Sequence, residues 1–393
     1  MSKDDLLAII DFGSTKIRLG VFNKKFSNQK FVLEEECFND FNDQNFDFVK
    51  IEKLVQSMIY KAEKKFDKHL KNIFLMLDSK NLISLDISIK KTLDSSKNLN
   101  DEVEYLIKDS KNFIEKNNQN KKNIHIIINK FIIDGKEYFE LPEDILSFKT
   151  IILELKFILL PSTLLKKITQ LFKNIHISII DFFCSTYVRS INYSKSFENY
   201  EYKFFLDIGF KKSCLSIYKG KNLIYLDTTR IGGYHITNDI SKVMNLDFKS
   251  SETLKRSLNQ SNSIFSNQSI NDFKTKSSEA EFNDLFQKVV HARIEEIINL
   301  CFKNCNLLNH GNTNNNSILI FIGEGSKILN KNSIYLNEKF NLFTEMNFFD
   351  ETPDTICNSA YIYNTIKSTR EVVVIPKKNR RYGIFEKLFN FFN

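Results

Sequence analysis

Tryptophan is absent from this chain of 393 residues, proline occurs 4 times and glycine 11 times. Average glycine use is about 7% of residues, so glycine is scarce here and its positions are informative. The six cysteines, Cys37, Cys184, Cys214, Cys301, Cys305 and Cys357, form no CxxC pair. That spacing excludes a zinc knuckle or a dithiol redox motif and fits reduced, mostly buried thiols. No run of about 18 apolar residues is present, and even the stretch 151–160 carries Glu154 and Lys156, so no spanning helix is expected. The apolar run Leu6 to Ile10 follows Asp4 and Asp5 and stops at Asp11, a pattern unlike a signal peptide. The six histidines are scattered without metal-ligand spacing, and no Ser/His/Asp or Cys/His nucleophilic set is legible. Any membrane contact is therefore expected to be peripheral.

What is present is a chain of 42% hydrophobic residues with 37 phenylalanines, long enough for two or three packed domains. The formal charge of +8 accompanies a Lys- and Asn-rich composition, with no aromatic-interleaved basic stripe. Nucleic acid is not an expected partner.

The clearest pattern is a duplication. Residues 6–22 alternate as a strand, a turn at 11–15 and a second strand, and the phrase recurs at 203–218. Sliding IIDFGSTKIRLGVF onto FLDIGFKKSCLSIY superposes Asp11 on Asp207, Gly13 on Gly209 and Leu19 on Leu215. Helical patterns are expected near 51–69, from His235, around 250–259, over 279–307 and near 357–367. A mixed strand and helix region covers 79–161, and a strand at 318–322 leads into Gly323, Glu324, Gly325 and Ser326.

Gly13, Gly209, Gly232, Gly233, Gly323 and Gly325 each fall in or beside a turn at a strand end. Such turns need φ > 0 or close backbone approach, and approach to phosphate is one reason. An Asp at the tip of each hairpin suits a hydrated Mg2+, which keeps much of its water and takes one or two carboxylates beside phosphates. Asp11 and Asp207 are the candidates. Gly13, Ser14 and Thr15 then offer N–H and hydroxyl donors to the β- and γ-phosphates of ATP, with Lys16 adding charge. For one hairpin, an ordinary turn whose Asp bonds its own backbone would suffice. Two related copies favour the ligand site.

These segments, with IGGYHITNDISKVMNLDFKSSETLKRSL at 231–258, VVHARIEEII at 289–298, ILIFIGEGSKIL at 318–329 and NKFIIDGKEYFELPEDI at 129–145, resemble the cell-division protein FtsA family nearly end to end. The resemblance implies an α/β fold of duplicated actin-like, ribonuclease-H-like domains flanking a nucleotide cleft. It implies an inserted α+β subdomain in the first half and a C-terminal amphipathic helix. The expected bounds are 1–79 and 162–206 for the first domain, 80–161 for the insertion and 207–360 for the second domain, with 246–310 facing a partner. A closing helix and linker take 361–379, and the amphipathic helix takes 380–393.

By the same resemblance, Gly232 and Gly233 belong to the nucleotide site, and Glu252 and Lys255 border the adenosine. At i and i+3 they share a helix face, and without the resemblance they would read as a surface ion pair. Gly323 and Gly325, followed by Ser326, match the adenosine loop, although Glu324 departs from it. Phe210, Lys211 and Lys212 depart more, standing where the family commonly has two glycines and a threonine. If those positions need φ > 0, each costs on the order of 1 kcal/mol, and either lysine is a candidate point charge for the γ-phosphate. CSTYVRS at 184–190 lacks the Glu and Pro usual at the family's hinge, so no catalytic role carries over. The expectation is ATP as a structural ligand or slow switch in a protein that is primarily an adaptor and at most a slow ATPase.

On a helical wheel, Tyr382, Ile384, Phe385, Leu388, Phe389, Phe391 and Phe392 fill one half. Glu386, Lys387 and Asn390 lie opposite, and Arg380 and Arg381 open the helix behind Lys377 and Lys378. This reads as an interfacial helix with a basic collar that meets an anionic membrane surface. Docking on the protein's own core is the alternative. The family resemblance implies FtsZ as partner, self-association into filaments, later divisome proteins, and a site on the cytoplasmic face of the inner membrane where the cell divides. A small-molecule kinase and a pilus-assembly or cell-shape scaffold are the competing readings.

Overall fold

The structure, a computed structural model, describes residues 5–26, 28–37, 47–93, 98–142, 145, 147–258, 279–305, 307, 316–329 and 338–365. The amphipathic tail at 380–393, the linker before it and part of the expected partner-facing segment 246–310 lie outside these residues.

The first half runs β1 (Leu6–Phe12), β2 (Lys16–Asn23), β3 (Lys30–Glu36), α1 (Phe48–Phe66), β4 (Asn72–Leu77), β5 (Ile83–Thr92) and α2 (Leu99–Asn117). It continues with β6 (Lys121–Ile133), β7 (Lys136–Tyr138), β8 (Thr150–Pro161), α3 (Ser162–Asn174), β9 (Ser178–Cys184) and α4 (Ser185–Tyr193). The second half follows with β10 (Tyr202–Ile208), β11 (Ser213–Lys219), β12 (Asn222–Thr229), α5 (Gly233–Met244), α6 (Phe248–Ser257), α7 (Glu279–Phe302), β13 (Ser317–Ile322), β14 (Glu345–Phe348) and α8 (Pro353–Thr365).

The duplication is real in three dimensions. One sheet has the order β3-β2-β1-β4-β9 and the other β12-β11-β10-β13-β14. In each, the opening hairpin is antiparallel and its first strand pairs in parallel with the next strand inward. β1 and β10 are buried on both faces, which is why they read as nearly continuous apolar runs. A third sheet, β5-β8-β6-β7, carries α2 and has its own core around Leu106, Phe131, Leu153 and Phe157.

Local chemistry sets the helix ends. Asp47 caps α1 by accepting from the Lys50 N–H, and α1 ends where Asp67 turns left-handed at φ 50°. Between them Ile51, Val55, Met58, Ile59 and Ala62 recur on one face and are buried. α8 returns to the first half, where Ile356, Cys357 and Ala360 join the core that contains β1 and β2. Tyr361 stacks on Phe22 with ring centroids 4.8 Å apart. All six cysteines are free and buried. Among the described residues, no helix is long and apolar enough to cross a membrane.

Candidate functional site

The two opening hairpins turn in the same way. The Gly13 N–H donates to the Lys16 carbonyl at 3.0 Å, and the Gly209 N–H donates to the Lys212 carbonyl at 2.9 Å. A Cβ on either glycine would lie 2.8 Å from that carbonyl oxygen, so close approach rather than left-handed backbone is what demands glycine. Phe210, Lys211 and Lys212 are absent from the residues with positive φ, so their replacement of glycine and threonine carries no left-handed strain. The second turn is instead braced from outside: its Gly209 and Phe210 carbonyls accept from the Gly233 and Tyr234 N–H groups at 2.9 and 2.6 Å. Those donors belong to the first turn of α5, which leaves them satisfied by protein.

The end of the cleft expected to face phosphate gathers Asp11, Gly13, Ser14, Thr15, Lys16, Asp207, Gly209 and Gly323 around a cavity of about 100 Å³. A larger cavity of about 620 Å³ adjoins it, lined by Gly233, Glu252, Lys255, Gly325 and Ser326 and sharing Thr15, Lys16 and Glu324 with the first. Gly232 lines neither; it packs under the second turn, where a Cβ would come within 2.5 Å of the Gly209 carbonyl oxygen.

The electrostatics differ from the expected metal site. Asp11 and Arg18 face one another in the hairpin register, and the Arg18 Nη1 donates to Asp11 Oδ2 at 2.9 Å while the Ser185 hydroxyl donates to Oδ1 at 2.8 Å. At the equivalent place opposite Asp207 stands Cys214, and the cation comes from α4 instead: Arg189 pairs with Asp207 and donates through Nη1 to both Glu351 oxygens at 2.8 and 2.9 Å. Lys212 does not point out toward a phosphate. Its Nζ lies 2.9 Å from Oδ2 of Asp78, just past β4. The Thr186 hydroxyl bonds both Asp78 and Asp207, and Lys211 lies over the Tyr234 ring. Lys16 is tied to Glu34 at 2.8 Å and to Glu324 at 3.5 Å.

Asp11 and Asp207 were expected to face a hydrated Mg2+, but each is met at close range by a buried arginine. Among the described residues no group of three or more His, Cys, Asp or Glu is placed to hold a metal ion. The residues present do not fit a divalent cation. The larger cavity lies within the range of about 300–1,000 Å³ usual for ligand pockets and offers polar groups at Glu252 and Ser326 beside apolar Phe348.

Glu252 and Lys255 are not a surface pair. Lys255 is buried, and its Nζ donates to Glu252 Oε2 at 2.5 Å, to the Thr237 hydroxyl at 2.7 Å and to the Gly233 carbonyl at 3.0 Å. Burial pushes the Glu252 carboxyl upward, but Lys255 and the Thr237 hydroxyl outweigh it and hold the group below its ordinary value. Burial likewise opposes ionisation of Asp78, and Lys212 and Arg189 outweigh it, bringing the carboxyl down to about 2. The folded value lies below the unfolded one, so this stabilisation is complete above about pH 4 and is lost as pH falls through that value toward 2. Its size is about 2 kcal/mol, and denaturant unfolding of wild type and of the neutral pair Asp78→Asn/Lys212→Met between pH 6 and pH 2 should show a steeper acid loss in wild type.

Sequence reasoning missed Arg18, Asp78, Arg189, Lys212 as an internal partner, and Glu351. For Arg18 a signal existed: a turn over 13–15 pairs position 11 with position 18. For Arg189, CSTYVRS supplied no family pattern to follow, yet its Ser185 and Arg189 line the cleft and its buried Thr186 bonds the cleft carboxylates Asp78 and Asp207.

The family model described as cell division protein FtsA matches residues 204–363. No curated protein matches the chain. Among solved structures it is similar to the PilM-PilN type IV pilus biogenesis complex, with TM-score 0.58, 10% identity and 89% of each chain covered. It is also similar to MreB5 of Spiroplasma citri bound to ADP, with TM-score 0.50, 11% identity and coverage of 93% of this chain and 98% of that one. At such identities the likeness establishes the fold, that of the actin-like ATPases.

Proposed function

We propose, from the premise that this chain is an FtsA-like protein of the actin family, that it is a cell-division adaptor holding an adenine nucleotide in its cleft and tethering FtsZ to the inner membrane. The tether is the C-terminal helix, with Arg380, Arg381 and Lys387 meeting anionic headgroups and the apolar face of 382–392 entering the interface. Self-association into filaments would array many such weak anchors, and later divisome proteins would assemble on the array at the cytoplasmic face. The observation that carries the nucleotide part is the cavity of about 620 Å³ with the half-buried Glu252 and its buried partner Lys255 on the wall. Adenine nucleotide as the ligand class is extended from the ADP-bound relative of the same fold.

The chemistry of the cleft favours a structural ligand over a turnover enzyme. Asp78 is one of the carboxylates lining the cleft, and Lys212 and Arg189 hold its pKa at about 2, far from the range that makes an efficient general base. The pilus-assembly reading shares the fold through the PilM-PilN likeness; the FtsA match over the second half and the basic-collared tail favour division. Calorimetry with ADP tests the nucleotide site. Wild type should bind, and Glu252→Gln, which keeps the shape but weakens a charge-assisted contact to ribose hydroxyls, should bind about tenfold more weakly. Equal affinity of the two proteins would remove Glu252 from the site.

A further inference from the structure

We infer that protein cations occupy the place of the divalent metal in this cleft, so that an adenine nucleotide is taken up without a divalent ion and without preference for the triphosphate. The inference rests on the nucleotide reading for its ligand, and on the three ion pairs for its metal independence.

Arg18 on Asp11, Arg189 on Asp207 and Lys212 on Asp78 have both partners largely withdrawn from water, with side-chain exposures of 8% and 6%, 9% and 6%, and 16% and 6%. Each arises from a different part of the fold: the β1–β2 register, the first half's α4, and the second hairpin turn. The carboxylates also accept from neutral donors. Ser185 serves Asp11, the Thr186 hydroxyl lies within bonding distance of Oδ2 of both Asp207 and Asp78 and serves one of them at a time, and the Cys184 thiol donates to Asp78 Oδ1 at 3.2 Å. A magnesium ion binds through one or two carboxylates, directly or through its own ordered water, in a site whose net charge is negative enough to hold it. Here an incoming ion would have to displace the arginines or sit beside them, and like charges buried together repel.

Charge balance also sets the phosphate length. The phosphate end is lined by five carboxylates, Asp11, Asp78, Asp207, Glu324 and Glu351, against four cations, Lys16, Arg18, Arg189 and Lys212. Every one of those cations already pairs with a carboxylate. A γ-phosphate would thus bring charge to a place with no surplus cation and, without Mg2+, no screening. A nucleoside diphosphate or monophosphate, seated in the larger cavity with its phosphates toward the mouth at Lys16, meets less repulsion.

The test uses the full chain and two titrations. In calorimetry, replacing MgCl2 with EDTA should change the ADP dissociation constant by less than about threefold, and ATP in MgCl2 should bind no tighter than ADP. Weakening by about tenfold or more in EDTA, or a similar preference for Mg-ATP, would overturn the inference. Mn2+ alone, followed by electron paramagnetic resonance, should find no site in wild type up to about 1 mM and should gain one in Arg18→Gln, which leaves Asp11 uncompensated. A wild-type Mn2+ site removed by Asp11→Asn would overturn the inference whether or not nucleotide binds. Failure of every adenine nucleotide to bind in either buffer would refute the nucleotide reading and the ligand named here, while the Mn2+ titration would still decide the role of the cations.

Discussion

Arg189→Met is expected to lower the free energy of unfolding by about 3–5 kcal/mol, among the largest single-residue effects this protein should show. The guanidinium faces Asp207 and Glu351, whose side chains are only 6% and 5% exposed. Removing it leaves two carboxylates in a site where water can do little for them. Glu351 has two further duties there, accepting from the Tyr193 hydroxyl at 2.9 Å and from the Gly323 N–H at 2.7 Å. Loss of the arginine therefore loosens the junction of α4, β10 and the turn after β13 together. The double variant Arg189→Met/Glu351→Gln removes one orphaned charge, and denaturant unfolding should find it more stable than Arg189→Met alone. A single-variant cost near zero would mean that the triad is solvated.

The second large effect is expected at Gly323. Its φ of 87° lies in the left-handed region, and an added Cβ would collide with Asp207 Oδ1 and stand 2.7 Å from the Ile208 carbonyl oxygen. Left-handed strain and overpacking together should cost Gly323→Ala about 3 kcal/mol, and the displaced turn should carry Gly325 and Ser326 away from the nucleoside cavity, abolishing ADP binding. Gly220 separates the two causes. It has φ 58°, and a Cβ there would find nothing within 4 Å, so Gly220→Ala should show only the backbone strain, about 1 kcal/mol, and should bind ADP normally. Thermal unfolding and calorimetry of the two variants side by side make the comparison.

Much of the frame was legible because the chain places its few glycines at strand ends. The hairpins at 6–22 and 203–218 became β1–β2 and β10–β11, and their superposition anticipated two sheets of the same topology. Periodicity placed α1, α7 and α8 to within a few residues at most boundaries, but α3 and α4 were not separated from their surroundings. α4 has only nine residues and is buried along nearly its whole length, so it lacks the polar face that makes a helix visible in sequence. The glycines around the cleft were marked by their places at strand ends, and the Glu252–Lys255 pair by family resemblance. The charges that decide its chemistry were not, because Asp78, Arg189 and Glu351 come together only through parallel strand pairing and the return of the chain ahead of α8. Lys212 shows the limit most clearly: in sequence it is a lysine in a phosphate turn, and in the fold it is the partner of a carboxylate 134 positions away.

The adaptor account rests most heavily on the tail, and co-sedimentation with liposomes containing anionic lipid tests it directly. The full chain should carry FtsZ into the lipid pellet, and a chain ending at Ile375 should leave FtsZ in the supernatant while still binding it in solution. Recruitment of FtsZ to lipid by the shortened chain as well as by the full one would contradict the account.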